Sequence, residues 1–433
     1  MNDATPLTIV PASPESRTFI PISRNDIIKA VSSPERWRNE DERSLARRVF
    51  YKIGCLRQHV SAEALNELSE AYDPFNPDDD TLNQEALSVE QRTQKRRELV
   101  EKLRKHAISA NYEELTEKGM EEVLSNASPD GVEVDVDFSE FEVKLLFIRG
   151  EGTVIRRKRN IARLFLSHYT YSVPIYVRLL MALKFKTEEV RIREIMADDS
   201  IDEEAARKKL HKLRRHLPKE ATTEHVYLKI FKNIPRYDVE MLFPNIRVKM
   251  KYRDKLQLGG SALLGTLTWA IGTATKLLVA VALSPLMLAI ALLSGLGGII
   301  YAQIRNIVVT RDRYRMQLAQ SLYFQNMANN QGALALIVDE AEEEDIKEEV
   351  LLYTHLLDRA VSAAELDALD GKIEAFLKAK FGIDVNFDFH DALGRLVASG
   401  LVVQDASGLF QAISVTLADQ HLRQSWCALA DAA

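Results

Sequence analysis

The chain has 433 residues, enough for two or three domains, and its 46% hydrophobic and 28% charged residues are ordinary for a globular protein. The net charge of −6 gives no reason to expect nucleic acid as a partner. The two cysteines lie far apart and form no CxxC pair, which excludes a disulfide framework and the common cysteine zinc sites, and we expect no cofactor or metal.

The N-terminal part is predicted to be helical after a short tail. Residues 1–20 have neither the basic start and apolar core of a secretory signal nor an Arg-rich presequence pattern, so we expect a flexible tail. Residues 21–130 form the predicted N-terminal helical region, which begins with Ser23 as an N-cap. The loop PFNPDDDT resembles a calcium loop, but it has Thr81 where that loop needs glycine, so turn chemistry is the better interpretation.

Residues 131–256 are predicted to be an α+β region. Alternating or apolar runs at 132–138, 141–150, 173–185 and 225–234 indicate strands. The charged stretch 188–219 indicates helices, which could project as an arm. The region ends in IRVKMKYR, a juxtamembrane strand whose alternation would place its basic residues on one face.

The segment PRYDVEMLFP lies between two prolines and fits a short helix. Pro235 would lie near the helix start, where Asp238 and Glu240 would meet the positive end of the helix dipole. We interpret the two acids as capping or salt-bridging groups of a rigid connector that ends at Pro244. Acid–base catalysis by this pair is the alternative.

The run from Leu258 to Ile304 is apolar apart from Lys276. As one helix it would measure about 70 Å, whereas a bilayer core is about 30 Å thick, so the run predicts two transmembrane helices over 257–305. Lys276 is then an intramembrane charge within reach of the interface. A buried helical hairpin of a soluble protein is the alternative.

Basic and aromatic residues flank this run on both sides, which by the positive-inside rule places both ends in the cytoplasm. They suggest an anionic lipid surface as a partner. The predicted membrane-interface residues are Arg247, Lys249, Lys251, Tyr252, Arg253, Lys255, Tyr301, Arg305, Arg311, Arg313 and Arg315.

Two regions follow. Residues 306–361 are predicted to be helical and contain the acidic stretch 339–358, which we interpret as a solvated helix face because paired Glu-x-x-His motifs are missing. Residues 362–430 have the order helix, helix, hairpin, which predicts a winged-helix-like domain. Its second helix has Arg395 as its only arginine or lysine, so we expect protein contact or packing there rather than DNA binding.

Several blocks carry a resemblance to a known family. FKNIPRYDVEMLFP (231–244), the basic strand and apolar hairpin after it, and the block 313–345 resemble the transmembrane protein 143-like family, which contains a domain of unknown function. FIPISRNDII (19–28), the YDPFNPDDDT loop and ANYEEL (110–115) are also similar to it. The resemblance implies a membrane protein with two spans and carries no activity, cofactor or catalytic residue.

The fold class expected overall is α+β and mostly helical, with cytoplasmic domains, a two-helix transmembrane hairpin and a C-terminal winged-helix-like module. We expect an integral protein of a bacterial inner membrane, with both termini cytoplasmic, that acts as a scaffold or regulator through protein or anionic-lipid contacts. Its partner would be a second copy or another protein, and not nucleic acid. Two alternatives remain: an oligomeric transporter or pore, and an enzyme of unrecognised type, since phosphate-loop, nucleophile-elbow and HExxH motifs are missing.

Overall fold

The computed structural model describes residues 9–11, 19–78, 87–116, 118–120, 132–159, 168–215, 217, 221–245, 247–250 and 323–432. The α-helices are α1 (Arg24–Val31), α2 (Glu40–Tyr72), α3 (Val89–Ser109), α4 (Glu188–Asp199), α5 (Glu203–Arg214), α6 (Asn330–Leu356), α7 (Leu366–Phe381), α8 (His390–Ala398) and α9 (Val415–Ala432). The strands are β1 (Ile9–Pro11), β2 (Glu113–Glu114), β3 (Val132–Asp135), β4 (Phe141–Arg159), β5 (His168–Phe185), β6 (Tyr227–Pro235), β7 (Arg247–Met250), β8 (Asn326–Asn329), β9 (Val402–Gln404) and β10 (Phe410–Ala412).

The main sheet is antiparallel, with the strand order β1-β4-β5-β6-β8 and with β2 paired to β4. Its centre is the long hairpin of β4 and β5. Alternation along β4 puts Leu145 and Phe147 on one face and Leu146 and Ile148 on the other, and each pair belongs to a different hydrophobic cluster. The sheet is therefore covered on both faces, which explains the near-continuous apolar sequence of its central strands.

Helix α6 passes through two hydrophobic cores. Its first half packs Leu334 and Ile337 against the sheet, together with α2 and α3. Its second half packs Ile346, Val350 and Tyr353 against α1, the start of α2 and the C-terminal helices. A helix with apolar residues on all sides belongs inside a protein, and α6 connects the two cores.

The C-terminal module, residues 361–432, contains α7, α8, the β9–β10 hairpin and α9. Its elements follow in the order helix, helix, hairpin, and Val361 adds a bridge to Phe410 through N–H···O bonds of 2.9 and 2.8 Å. Gly408 closes the hairpin turn at φ +82°, a conformation that favours glycine. The module packs against α6 and α2 through the core that contains Ile373 and Leu396.

Helices α4 and α5 form a helical hairpin with a small core of its own, made by Ile192, Ile195, Ala206 and Leu210. The buried carboxylate of Glu140 holds this arm to the sheet. It accepts bonds from Arg191 Nε at 2.8 Å and from Arg214 Nε at 3.0 Å.

The prediction of a transmembrane fold is corrected by one finding. Across the described ranges, no helix has both the length and the apolar character needed to cross a bilayer. The predicted hairpin at 257–305 itself lies outside the described residues. The described chain is a mixed α and β structure, and the prediction of an integral inner-membrane protein is corrected by the same finding.

Candidate functional site

The predicted connector lies against the main sheet. Pro235 is the buried last residue of β6, and a 3₁₀ helix, Arg236–Leu242, follows it directly. Asp238 and Glu240 are half-buried on this helix, and Pro244 is exposed beyond it. Arg236 pairs with Glu151 of β4 and its guanidinium lies 5.1 Å from the ring centre of Tyr176. The connector is thus fixed to the long hairpin, and the role of the two acids stays a prediction.

The predicted basic strand is β7, and it pairs with β3 in a small two-stranded sheet. The register sets Arg247 opposite Asp135 and Lys249 opposite Glu133. Its basic positions therefore alternate against acidic positions of the same chain. The other predicted interface residues, Lys251, Tyr252, Arg253, Lys255, Tyr301, Arg305, Arg311, Arg313 and Arg315, lie outside the described residues, as does Lys276.

For the acidic stretch on α6, the prediction from the sequence is wrong. We expected a solvated helix face, but Glu340, Glu344 and Glu349 are 9%, 2% and 0% exposed. Buried carboxylates need opposite charges or hydrogen-bond donors. Two groups of basic side chains, brought from distant parts of the chain, meet this need.

The first group is the Glu344 cluster, which consists of Glu340, Glu344 and Lys347 of α6, Arg149 of β4, Arg178 of β5 and Tyr112. Arg149 bridges the two acids, with nitrogen–oxygen distances of 3.2 Å to Glu340 and 3.1 Å to Glu344. Tyr112 donates its hydroxyl hydrogen to Glu340 at 2.7 Å. The Tyr112 side chain is buried, and its burial raises the pKa of the phenol.

The Glu344 cluster also holds the N-terminal segment. The backbone N–H of Ile20 donates to Glu344 at 3.0 Å, and its carbonyl accepts from Lys347 Nζ at 2.7 Å. The Phe19 ring lies 4.6 Å from the Arg149 guanidinium and packs over Gly150. Gly150 has φ +70°, and a Cβ there would lie 2.6 Å from the Phe19 ring, so this contact requires glycine.

The second group is the Arg395 cluster, which consists of Arg395 of α8, Arg57 of α2, and Asp345, Glu348 and Glu349 of α6. Arg395 contacts all three acids, at 3.0 Å from Asp345 and at 2.8 Å from each glutamate. Arg57 lies 2.8 Å from Glu349. Arg395, the only arginine or lysine of α8, therefore packs against α6. Packing was one of the two roles expected for this helix, and contact with another protein was the other.

The Arg395 cluster has three carboxyl groups and two guanidinium groups, so it favours an additional proton. Burial raises the pKa of Glu348 to about 8 and that of Asp345 to about 6, against the pull of Arg395 in the other direction. Burial also raises the pKa of Glu349. The chemistry that this arrangement supports is uptake and release of a proton near neutral pH, at the joint between the C-terminal module and α6.

A metal site is a different use of acidic side chains. In the part of the chain that the structure describes, no group of three or more His, Cys, Asp or Glu residues is arranged to hold a metal ion. The acids of the two clusters on α6, Glu340, Glu344, Asp345, Glu348 and Glu349, contact basic side chains.

Sequence reasoning missed the basic partners Arg57, Arg149, Arg178 and Lys347, and also Tyr112. Arg149 lies 195 residues before Glu344, and Tyr112 lies 228 residues before Glu340, so spacing alone does not reveal these partners. One signal was present: the acidic run lies between two apolar runs of the same helix, at 333–338 and 350–352, which indicates that both ends of the helix are buried. Acids on such a helix need partners.

A family model described as a protein of unknown function (DUF3754) matches residues 151–332, so a DUF3754 domain covers this range. In the structure it runs from the second half of β4 to the start of α6 and includes the α4–α5 arm. The Arg395 cluster lies outside it. No solved structure matches the chain.

Proposed function

We propose that this protein is a scaffold or regulator that acts through protein contacts, and that α6 is the element whose contacts are regulated. The Arg395 cluster is the observation that carries the proposal. It joins α2, α6 and α8 through buried charges rather than through apolar side chains alone. Such a joint is specific in geometry and sensitive to the loss of one partner.

The charge balance of the cluster supports regulation. Removing one member of a buried ion pair leaves the opposite charge without a partner. The contact between the C-terminal module and α6 is therefore either fully formed or broken. An open joint would loosen the C-terminal module on α6, where an apolar core also holds it, and would expose Glu349, which is now buried. A docked and an undocked module present different surfaces to a protein partner, which is what a regulatory scaffold requires.

We further propose that the relatives of this chain are found in the transmembrane protein 143-like family. Three blocks that resemble that family contact each other at α6. Ile20, from the block 19–28, donates to Glu344, and Tyr112, from the block 110–115, donates to Glu340. Both glutamates belong to the block 313–345. Asp78, in the YDPFNPDDDT loop, accepts a bond of 2.7 Å from Asn330. The sequence resemblance of these blocks supports the proposal, and the family adds no activity.

The test is cross-linking of the tagged full chain in its native cell, followed by identification of the linked proteins. The wild type should give a specific set of partners, and Arg395→Gln should change that set because the joint opens. Arg359→Gln is the matched control, since Arg359 lies just before the module and makes an exposed ion pair with Glu365 inside it. A wild-type set no different from that of an unrelated protein would overturn the proposal, as would identical sets for wild type and Arg395→Gln.

A further inference from the structure

The long hairpin of β4 and β5 extends beyond its neighbours in the main sheet. On one side, β1 pairs with β4 only as far as Val154. On the other side, the pairing of β6 with β5 ends at Ile175. Beyond these points, residues 155–159 and 168–172 pair with each other and, among the described strands, with no third strand. These two segments form a two-stranded ribbon, which at about 3.3 Å per residue is about 16 Å long.

The ribbon is basic and has no acidic residue near it in the sequence. Strand β4 ends in the four basic residues RRKR, 156–159, and β5 begins at His168. From Gly152 to Thr187 the chain contains no aspartate and no glutamate, although the net charge of the whole protein is −6. The excess of negative charge therefore belongs to other parts of the sequence.

The pairing register places no acid opposite the basic residues of the ribbon. Arg156, Arg157, Lys158 and Arg159 lie opposite Tyr171, Thr170, Tyr169 and His168, in that order. Strand β7 differs, because its register sets Arg247 and Lys249 opposite acidic residues. The basic residues of β7 thus have opposite charges across the strand pair, whereas the ribbon has a surplus of positive charge that favours an anionic ligand.

The basic residues lie on both faces of the ribbon. Alternation along β4 divides them between the faces, with Arg156 and Lys158 on one and Arg157 and Arg159 on the other. The second face is open to solvent where its side chains are described, since Ile155 is 48% exposed and Thr170 and Ser172 are exposed as well. A flat anionic surface, such as a membrane, contacts one face of a ribbon. Basic residues on both faces instead fit a ligand that surrounds the ribbon with negative charge.

We propose that the ribbon enters the major groove of duplex DNA and binds the phosphates on both sides of the groove, without reading the base sequence. This groove is about 12 Å wide and admits a two-stranded β-ribbon. Packed sheets lie about 10 Å apart, which gives the thickness of a ribbon with its side chains, so each face meets one row of phosphates. The major groove of duplex RNA is narrow and deep, so the proposal is for DNA.

The residue types of the ribbon suit phosphate. Three of its four consecutive basic residues are arginines, whose planar guanidinium groups bind phosphate through paired N–H donors. Thr170 and Ser172 add exposed hydroxyl groups, which are common donors to phosphate oxygens. These contacts position a protein on a duplex and carry no base specificity.

The net charge of the whole chain gave no reason to expect nucleic acid, and the ribbon changes this expectation. Binding to phosphates depends on positive charge that is clustered on one element, and the ribbon is such an element. The inference does not rest on the proposed regulatory joint, since the ribbon and the Arg395 cluster share no residue.

The test is the fluorescence anisotropy of a short labelled DNA duplex of arbitrary sequence, titrated with the purified full chain at several salt concentrations. The wild type should bind with a dissociation constant of about 1–100 µM at physiological salt, the range of non-specific DNA binding. The affinity should fall steeply with salt, because each phosphate contact adds about −0.9 to the slope of log K against log salt concentration.

Two double variants test the two faces of the ribbon. One combines Arg157→Gln with Arg159→Gln, and the other combines Arg156→Gln with Lys158→Gln. Each removes two phosphate contacts, so each should make the slope shallower by about 2 and weaken binding at least about tenfold. Single changes, which should each alter the slope by about 1, replace a double variant that circular dichroism shows to be unfolded.

The matched control combines Arg207→Gln with Lys208→Gln on α5, where the two side chains are 63% and 75% exposed. It changes the net charge equally and should keep the slope and affinity of the wild type. A wild type that does not bind the duplex at about 100 µM overturns the proposal. So does a loss confined to one of the two ribbon variants, which indicates a flat ligand. Duplex RNA or phosphatidylserine vesicles bound as tightly as DNA would also overturn it.

Discussion

Arg395 of α8 and Glu349 of α6 contact each other inside the protein, with Nε of the arginine 2.8 Å from Oε1 of a glutamate that is 0% exposed. The same oxygen lies 2.8 Å from Arg57 of α2. One carboxylate thus joins three helices from different parts of the chain. Charges held this far from water act strongly on one another and have large effects when one is removed.

Replacing Arg395 by Met should destabilise the protein strongly. The change leaves Asp345, Glu348 and Glu349 with one guanidinium between them, and breaking a buried ion pair on one side costs about 3–5 kcal/mol. Urea denaturation measures the free energy of unfolding. The control Arg359→Met removes an exposed pair with Glu365 and should cost under about 1 kcal/mol. Equal losses in the two variants would contradict the importance of the cluster.

The free energy of unfolding should depend on pH through Glu348. Its pKa is raised to about 8 in the folded protein, so the folded state binds the proton more tightly than the unfolded chain does. The stabilisation is complete below the ordinary pKa of 4.5 and is lost as pH rises to about 8. The wild type should therefore lose stability over this range relative to Glu348→Gln, and Asp345 does not affect this comparison because both proteins contain it.

Denaturation series at several pH values, compared between wild type and variant, measure this dependence. Glu101→Gln, an exposed change on α3, is the control and should follow the wild type at every pH. Parallel curves for wild type and Glu348→Gln would mean that Glu348 does not hold its proton near neutral pH.

Replacing Gly150 by Ala should weaken the attachment of the N-terminal segment. Gly150 has φ +70°, and the new Cβ would lie 2.6 Å from the Phe19 ring, so strain and displacement of Phe19 act together. We expect a loss of about 1–3 kcal/mol and faster proteolysis near residue 19. Gly371→Ala is the matched control: it lies within α7 with open space around it and should stabilise by up to about 1 kcal/mol. A Gly150→Ala protein as stable as the wild type would show that Phe19 does not pack there.

Asn330 offers a separate test at the start of α6. This buried residue has φ +47°. Its side-chain oxygen accepts from the backbone N–H of Leu228 at 3.1 Å and from the Tyr72 hydroxyl at 3.3 Å, and its amide donates to Asp78 at 2.7 Å. Asn330→Gly keeps the backbone conformation and loses these three bonds, whereas Asn330→Ala loses the bonds and adds strain. Thermal melting measures the free energy of unfolding, which should be highest for the wild type. It should fall by about 1–3 kcal/mol in Asn330→Gly, and by about 1 kcal/mol more in Asn330→Ala. A reversed order of the two variants would contradict this account of the site.

The parts of the fold that depend on local pattern could be predicted from the sequence. Apolar runs located the first half of β4, predicted over 141–150 and observed as Phe141–Arg159, and most of β5, predicted over 173–185 and observed as His168–Phe185. The C-terminal order of helix, helix and hairpin follows from the Asp-Ala-Ser-Gly turn between Val402 and Ala412. Ser23 is the N-cap of α1, since its side chain accepts from the N–H of Asp26. Each of these features is decided by residues within a few positions of one another.

The site could not be predicted because its contacts are long-range. A run such as DEAEEEDIKEE has the same sequence pattern whether its side chains face water or form ion pairs with basic side chains. Arg395 lies 46 residues beyond Glu349, and Arg149 lies 195 residues before Glu344. The transmembrane expectation rested on hydropathy over 257–305, a range outside the described residues, and the described helices do not support it.

The central claim is that Arg395 and Glu349 hold the C-terminal module to α6 by direct interaction. A double-mutant cycle with Arg395→Met, Glu349→Gln and the double variant measures this interaction by urea denaturation. Residues in one ion-pair network show coupling energies of about 0.5–3 kcal/mol, and the burial of Glu349 predicts a value near the top of this range, about 2 kcal/mol or more. Losses that simply add, with a coupling energy near zero, would contradict the claim.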